Sequence, residues 1–246
     1  MSPLPRPSRL IYAVGDLHGR LDLLQRAANL IRAHGEGRPT RIVFLGDYVD
    51  RGPDSRGVVE FLMRAQTDGS VICLKGNHEA MMLEAMETGD PRADAMWMMN
   101  GGRETLDSYA GEVPDEHLAW MRALPVLGGD GHRIYVHAGL MPGTATEDQD
   151  EETCLWIHER FLRAGSAELP AHVVHGHTPY WLDKPNPALP ELLPHRTNLD
   201  TAAFHTGVLS VGVFDADAPG GPLEVLTVAA PEAADKLHAV AEGRLR

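Results

Sequence analysis

Seven side chains able to ligate a divalent ion or move a proton fall in five short clusters. They are Asp16 and His18 in GDLHG, Asp47 in GDYVDRG, Asn77 and His78 in KGNHE, His137 in HAG and His177 in HGHT. Carboxylate, imidazole and amide oxygen without thiolate form a mixed oxygen and nitrogen donor set. Such a set suits catalytic Mn, Fe or Zn, not a structural zinc site. The candidates are too many for one ion and about right for two. Two ions bridged by a carboxylate, roughly 3.5–4 Å apart, can clamp a phosphoryl group and generate hydroxide at neutral pH. GDYVDRG also carries more than a turn requires, since Gly46 and Gly52 alone could turn the chain. Asp50 and Arg51 are therefore functional candidates too.

These clusters need elements to aim them. Each follows a short β-type run: Leu10–Val14, Arg41–Leu45, Val71–Leu74, Arg133–Val136 and His172–Val174. Between the first two, Leu21, Leu24, Ala28 and Ile31 repeat at helical spacing; between the next two, Val58, Val59, Leu62 and Met63 do the same. The β-α-β-α-β order predicts a sheet with crossover helices, and sites in such sheets form at the carboxyl ends of strands. Residues 80–132 break the rhythm and read as a helical, cap-like insertion whose methionines are expected to fill core. After HGHT, LDKPNPALPELLP reads as a proline-rich surface connection. Two further strands, Val208–Phe214 and Leu223–Val228, and a helix from Glu232 complete a single expected domain spanning residues 1–246.

Bulk properties narrow the class. A net charge of −13 lacks the basic footprint of a nucleic-acid binder, so no nucleic-acid partner is expected. Prolines interrupt the N-terminal MSPLPRPSRL where a signal peptide would be apolar, and no stretch is long enough to span a bilayer. A cytoplasmic monomer without membrane contact is the expectation, with Cys73 and Cys154 as reduced, buried thiols.

GDLHG, GDYVDRG, GNHE, HAG and GHT, in this order across Tyr12 to Phe214, resemble the calcineurin-like metallophosphoesterases. The form is similar to the PPP-type serine/threonine protein phosphatases of the bacterial and lambda-phage branch. The resemblance implies an α/β fold, a four-layer α-β-β-α sandwich of two mixed sheets flanked by helices, with two divalent ions at one edge. It assigns Asp16 and His18 to the first ion, Asp47 to the bridge, and Asn77, His137 and His177 to the second. His78 becomes the general acid with Asp50 fixing its tautomer, Arg51 and Asn77 phosphate contacts, and a metal-bound hydroxide the in-line nucleophile. Mn is the first expectation for the ions, with Fe or Zn as alternatives. The implied substrate is a phosphoprotein or small phosphoester. A symmetrical diadenosine tetraphosphate hydrolase is the alternative, disfavoured by GNHE where those enzymes typically read GNHD.

One segment departs from the pattern. Relatives of the bacterial branch carry a phosphate-binding arginine in a segment like LWIREPFL, where this chain reads LWIHERFL. Three outcomes are open: Arg160 swings in, His158 serves the phosphate as a pH-dependent contact, or the site is weakened or retuned. Of the remaining candidates, His175 is expected to pack, Asp200 to support a ligand or form a turn, Arg103 to reach substrate or cap a helix, and Glu79 to open a helix.

Overall fold

The computed structural model describes residues 7–179, 188–231 and 233. The strands are β1 (Leu10–Val14), β2 (Thr40–Phe44), β3 (Val71–Cys73), β4 (Leu127–Gly129), β5 (Arg133–Val136), β6 (His172–His175), β7 (Glu191–Leu193), β8 (Arg196–Asn198), β9 (Val208–Asp215) and β10 (Glu224–Ala229). The helices are α1 (Leu21–Gly35), α2 (Ser55–Ala65), α3 (Asn77–Thr88), α4 (Pro91–Trp97), α5 (Arg103–Ser108), α6 (Asp115–Arg122), α7 (Glu151–Trp156), α8 (Glu159–Leu162) and α9 (Ala203–Thr206).

Two mixed five-stranded sheets form, ordered β10-β9-β1-β2-β3 and β4-β5-β6-β8-β7. In the first, β1, β2 and β3 are parallel, with β9 and β10 added antiparallel. In the second, β5, β6 and β8 are parallel, and β4 and β7 flank them antiparallel. Alternation along β1 sorts its residues between two cores. Leu10, Tyr12 and Val14 pack with Leu23, Leu24 and Ile31 of α1 and Val58 and Leu62 of α2. Ile11 and Ala13 face the other way, into a layer shared with Tyr135 and Val174 of the second sheet. Beyond that sheet, Ile134, Val136 and Val173 pack against Cys154 and Phe161 from α7 and α8. The layers are thus helix, sheet, sheet, helix, each core aliphatic side chain contributing about 1.5–3 kcal/mol by burial.

Several expectations are corrected. The segment containing LDKPNPALPELLP is no mere connection, because its end forms β7 and β8 follows immediately; its first part lies outside the described residues. The helix expected from Glu232 also lies outside them, apart from Ala233. The insertion is helical but ends in β4, which joins the second sheet. Its methionines divide: Met81, Met82 and Met121 are core, whereas Met96 and Met99 are 56% and 85% exposed. Both cysteines are free and buried, and burial pushes the Cys154 thiol up to about 11.

Candidate active site

Each sheet has three parallel strands, and each of the six ends in a polar cluster. The first sheet delivers Asp16 and His18 after β1, Asp47 to Arg51 after β2, and Asn77, His78 and Glu79 at the start of α3. The second delivers His137 after β5, His177 after β6 and Asp200 after β8. Without β8 the sequence offered no frame for Asp200. It is buried beside Asp16, its Oδ1 accepting from the Ala202 N–H at 2.8 Å, so it closes a turn and also adds negative charge to the site.

The loops are held by unusual backbone. Of eight non-glycine residues with positive φ among those described, five are His18, Asp47, Asp50, Arg51 and His177. Left-handed backbone costs a non-glycine residue roughly 1–3 kcal/mol, and it persists where surrounding structure over-determines it. Here the amides of Leu17 and His18 donate to the Asp47 carbonyl at 3.0 and 2.8 Å, joining the first two motifs. The aspartates and arginine of GDYVDRG therefore share the turn with Gly46, whose φ is 105°. Gly52 serves a close approach instead, because a Cβ there would lie 1.9 Å from the His18 carbonyl oxygen.

Glu79 supplies most of the remaining hold. Its carboxylate accepts from the amides of Asp47 (2.9 Å), Tyr48 (2.7 Å), Val49 (3.3 Å) and Gly76 (2.8 Å). It does open α3, as expected, but it also clamps a loop some thirty residues earlier. Burial pushes its carboxyl up to about 7 against the opposing pull of those amides. Fully buried behind the loop, Glu79 has no face open to substrate, so the glutamate of GNHE acts as a loop anchor.

Donor atoms converge on Asp47. One atom from each of His18, Asp47 and His78 lies within 4.8 Å of the others, and so it does for Asp47, His137 and His177, making Asp47 common to both groups. Tautomers test whether cations fit. His137 Nδ1 donates to the Leu45 carbonyl at 2.9 Å, and burial drives this ring's pKa down to about 3, so it is neutral and Nε2 is a lone pair. That lone pair faces Asn77 Oδ1 at 2.8 Å and Asp47 Oδ1 at 3.3 Å, three acceptors without a donor between them. His18 Nδ1 donates to the Val49 carbonyl at 2.9 Å, leaving Nε2 a lone pair 3.4 Å from Asp47 Oδ2, with Arg51 Nη1 as its donor in this structure. Burial and mutual repulsion also raise the Asp16 carboxyl well above its ordinary range. Converging lone pairs and crowded carboxylates are what bound divalent ions relieve, so the residues fit two such ions.

His78 and Asp50 form a tight pair. His78 Nδ1 lies 2.6 Å from Asp50 Oδ2, while Asp50 Oδ1 accepts from Trp97 Nε1 at 2.9 Å and Thr105 Oγ1 at 2.7 Å. Burial raises the Asp50 carboxyl to about 7, opposed by those two donors and by Arg51. The other nitrogen, His78 Nε2, points toward the site, 3.9 Å from Asp47 Oδ2. Arg51 Nη1 contacts His18 Nε2 at 2.9 Å, and its guanidinium lies 4.9 Å from the Phe204 ring centre. Gly101, with φ of 105°, lets the NGG turn press on Arg51, since a Cβ there would meet Arg51 N at 2.6 Å. Trp97, Thr105, Gly101 and Phe204 were not singled out from sequence.

Other candidates lie off the centre. His175 is buried against Phe161, its Nε2 3.2 Å from Arg196 Nη1, so it packs away from the donors. Arg103 is exposed and paired with Asp107 one turn on. Arg160 is exposed on α8, and no contact among the described residues brings it to the donors. His158 does reach the rim, Nε2 to His177 Nε2 at 2.8 Å and Nδ1 to Thr178 Oγ1 at 3.2 Å.

Comparison with known proteins decides the family. A model of the calcineurin-like phosphoesterases matches residues 9–203. The chain belongs to that family. It is a metal-dependent hydrolase of phosphate esters, and the family's paired divalent ions match the donor set around Asp47. Over 182 residues the phosphoesterase is 29% identical to serine/threonine-protein phosphatase 1 of Salmonella typhimurium, covering 70% of this chain and 79% of that protein. Over 137 residues it is 33% identical to a symmetrical bis(5'-nucleosyl)-tetraphosphatase of Nitrosospira multiformis, covering 56% of this chain. That match spans less than half, 46%, of the tetraphosphatase. A protein serine/threonine phosphatase from Saccharomyces cerevisiae shares the fold, with a TM-score of 0.61, 17% identity, and coverage of 91% of this chain and 81% of that one. Among the described residues, no helix is long and apolar enough to cross a membrane.

Proposed function

We propose that this phosphoesterase is a phosphomonoesterase acting on phosphoserine and phosphothreonine proteins and on small aryl phosphates. The observation that carries the chemistry is the sharing of Asp47 by two donor groups, one of them containing His78, which Asp50 backs at 2.6 Å. Asp16, His18 and Asp47 would hold one ion, and Asp47, Asn77, His137 and His177 the other. When bound, these ions supply Lewis acidity to the phosphoryl oxygens and acidify water. Mn, Fe and Zn all suit the donors, with Mn the first to supply.

The chain's own residues do the rest. Arg51, steadied by Phe204, and the Asn77 side chain orient the phosphoryl group. His78 delivers a proton from Nε2 to the ester oxygen as the P–O bond breaks, so the alcohol leaves neutral. Asp50, holding Nδ1–H, favours the protonated ring that this transfer needs. Water supplies the oxygen of the phosphate product.

The protein-phosphatase reading is supported by one extended sequence match, which covers 79% of the Salmonella phosphatase where the tetraphosphatase match covers 46%. The higher local identity to the latter, 33%, supports the second reading, symmetrical cleavage of a dinucleoside tetraphosphate. Phosphate release from a phosphopeptide panel, set against nucleoside diphosphate release from diadenosine tetraphosphate, tests the choice. Faster turnover of the dinucleotide would reverse it. Asp47→Asn, expected to lose metal and turnover together, is the control in both assays. A cytoplasmic monomer, with two buried thiols kept reduced, completes the proposal.

A further inference from the structure

His158 stands where phosphate-binding relatives place an arginine, yet both of its ring nitrogens are engaged by protein. Nε2 lies 2.8 Å from His177 Nε2, and Nδ1 lies 3.2 Å from Thr178 Oγ1. The direction of this chain depends on what the other face of His177 meets. Its Nδ1 points at Asn77 Oδ1, 3.0 Å away, among the donors that converge on Asp47. A neutral imidazole has one N–H and one lone pair. If Nδ1 gives its lone pair to an ion, the proton must sit on Nε2, facing His158. The His158 Nε2 lone pair then accepts it, and His158 Nδ1–H donates to Thr178 Oγ1. From His177 Nε2 to Thr178 each donor then meets an acceptor, while the Asn77 Oδ1 and His177 Nδ1 lone pairs, 3.0 Å apart, are left facing each other for an ion to pair.

We infer that His158 is a positioning residue for the metal site: it accepts a hydrogen bond from His177 Nε2–H, fixing the tautomer and ring angle with which His177 offers Nδ1 to the second ion. Partners of this kind both orient a ligating imidazole and raise its basicity. Arginine has donors only and cannot accept from His177. The exchange of arginine for histidine thus trades a phosphate contact for a metal-tuning one, leaving Arg51 as the guanidinium at the phosphate. This inference rests on the dinuclear reading of the site.

The test is Mn binding by titration calorimetry on metal-stripped full-length protein, with melting curves confirming that each variant is folded. Wild type is expected to take two ions. His158→Phe and His158→Arg should weaken one ion by roughly 10- to 100-fold and spare the other. His158→Gln, whose amide oxygen can accept, should recover much of the loss. In zinc-loaded protein, nitrogen NMR should show His177 protonated on Nε2, and His158→Arg should disturb that signal. Unchanged Mn affinity in His158→Phe, with a raised KM for p-nitrophenyl phosphate at saturating metal, would overturn the inference and return His158 to the phosphate. Failure of wild type to bind two ions would instead overturn the dinuclear reading itself.

Discussion

Glu79 and Asp47 are joined through the main chain: the Glu79 carboxylate accepts the Asp47 amide at 2.9 Å, so the first helical turn after β3 fixes the loop after β2. The same carboxylate holds Tyr48, Val49 and Gly76, which makes it the common anchor of two motifs. Glu79→Ala would leave four amides without this acceptor, each unsatisfied buried group costing about 1–3 kcal/mol. A loss above about 3 kcal/mol should lower the melting temperature by roughly 6–12 °C. An Ala variant melting with the wild type would show that the loop holds itself.

Glu79→Asp makes a sharper point. One methylene shorter, it should loosen GDYVDRG and slow hydrolysis of phosphopeptide and dinucleotide in parallel. A marked change in their ratio would mean that residue 79 does select substrate.

His78 is tested through its leaving groups. His78→Asn should lower kcat by about 10²- to 10⁴-fold for phenyl phosphate, the range for losing a general acid. The loss should be smaller for p-nitrophenyl phosphate, whose leaving oxygen scarcely needs a proton. Equal losses on both esters would argue against proton transfer.

Phe204 underlies Arg51, with the guanidinium 4.9 Å from its ring centre. A contact of this type contributes about 0.5–2 kcal/mol, so Phe204→Ala should reduce kcat/KM roughly 2- to 30-fold. Phe204→Tyr, retaining the ring, should not. If Arg51→Ala collapses activity while Phe204→Ala has no effect, the ring does not position the arginine.

A pH effect is expected far from the donors. Burial alone would raise the Asp130 carboxyl, but N–H groups of His132 and Arg133, the Arg133 guanidinium and the Tyr135 hydroxyl lower it below the ordinary range. A depressed folded pKa stabilises at pH above the unfolded value, about 3.9, and that stability is lost as pH falls through the folded value. Melting temperature should therefore fall on acidification below about pH 4, and Asp130→Asn should show a shallower fall. Parallel slopes would remove Asp130 from the acid response.

The sequence carried much of this site because its donors sit at strand ends, where an apolar run stops and a polar cluster begins. Asp16, His18, Asp47, Asn77, His78, His137 and His177 could be read that way one motif at a time. What it concealed were contacts through space. Nothing local to Glu79 points to amides at residues 47–49, and Trp97 and Thr105 meet Asp50 only once the insertion has folded. β7 and β8 escaped for another reason: three-residue strands beside a proline-rich segment have too few alternations to show a period. For His158 the motif letters record position and not the direction of a hydrogen bond, so its contact with His177 was not legible in them.

The Asp47 cluster lies on a seam, one side built by the first sheet and the other by His137 and His177 of the second. An ion held there is also a cross-brace between the two halves, added to their apolar layer and to bonds such as His137 Nδ1 to the Leu45 carbonyl. Ligand binding to the folded state raises its stability with the logarithm of free ligand concentration. Metal supply thereby becomes a determinant of how long the molecule survives as well as how fast it works. Starved of metal, the protein should be cleared by proteases sooner, coupling its abundance to the same ions that its chemistry would use.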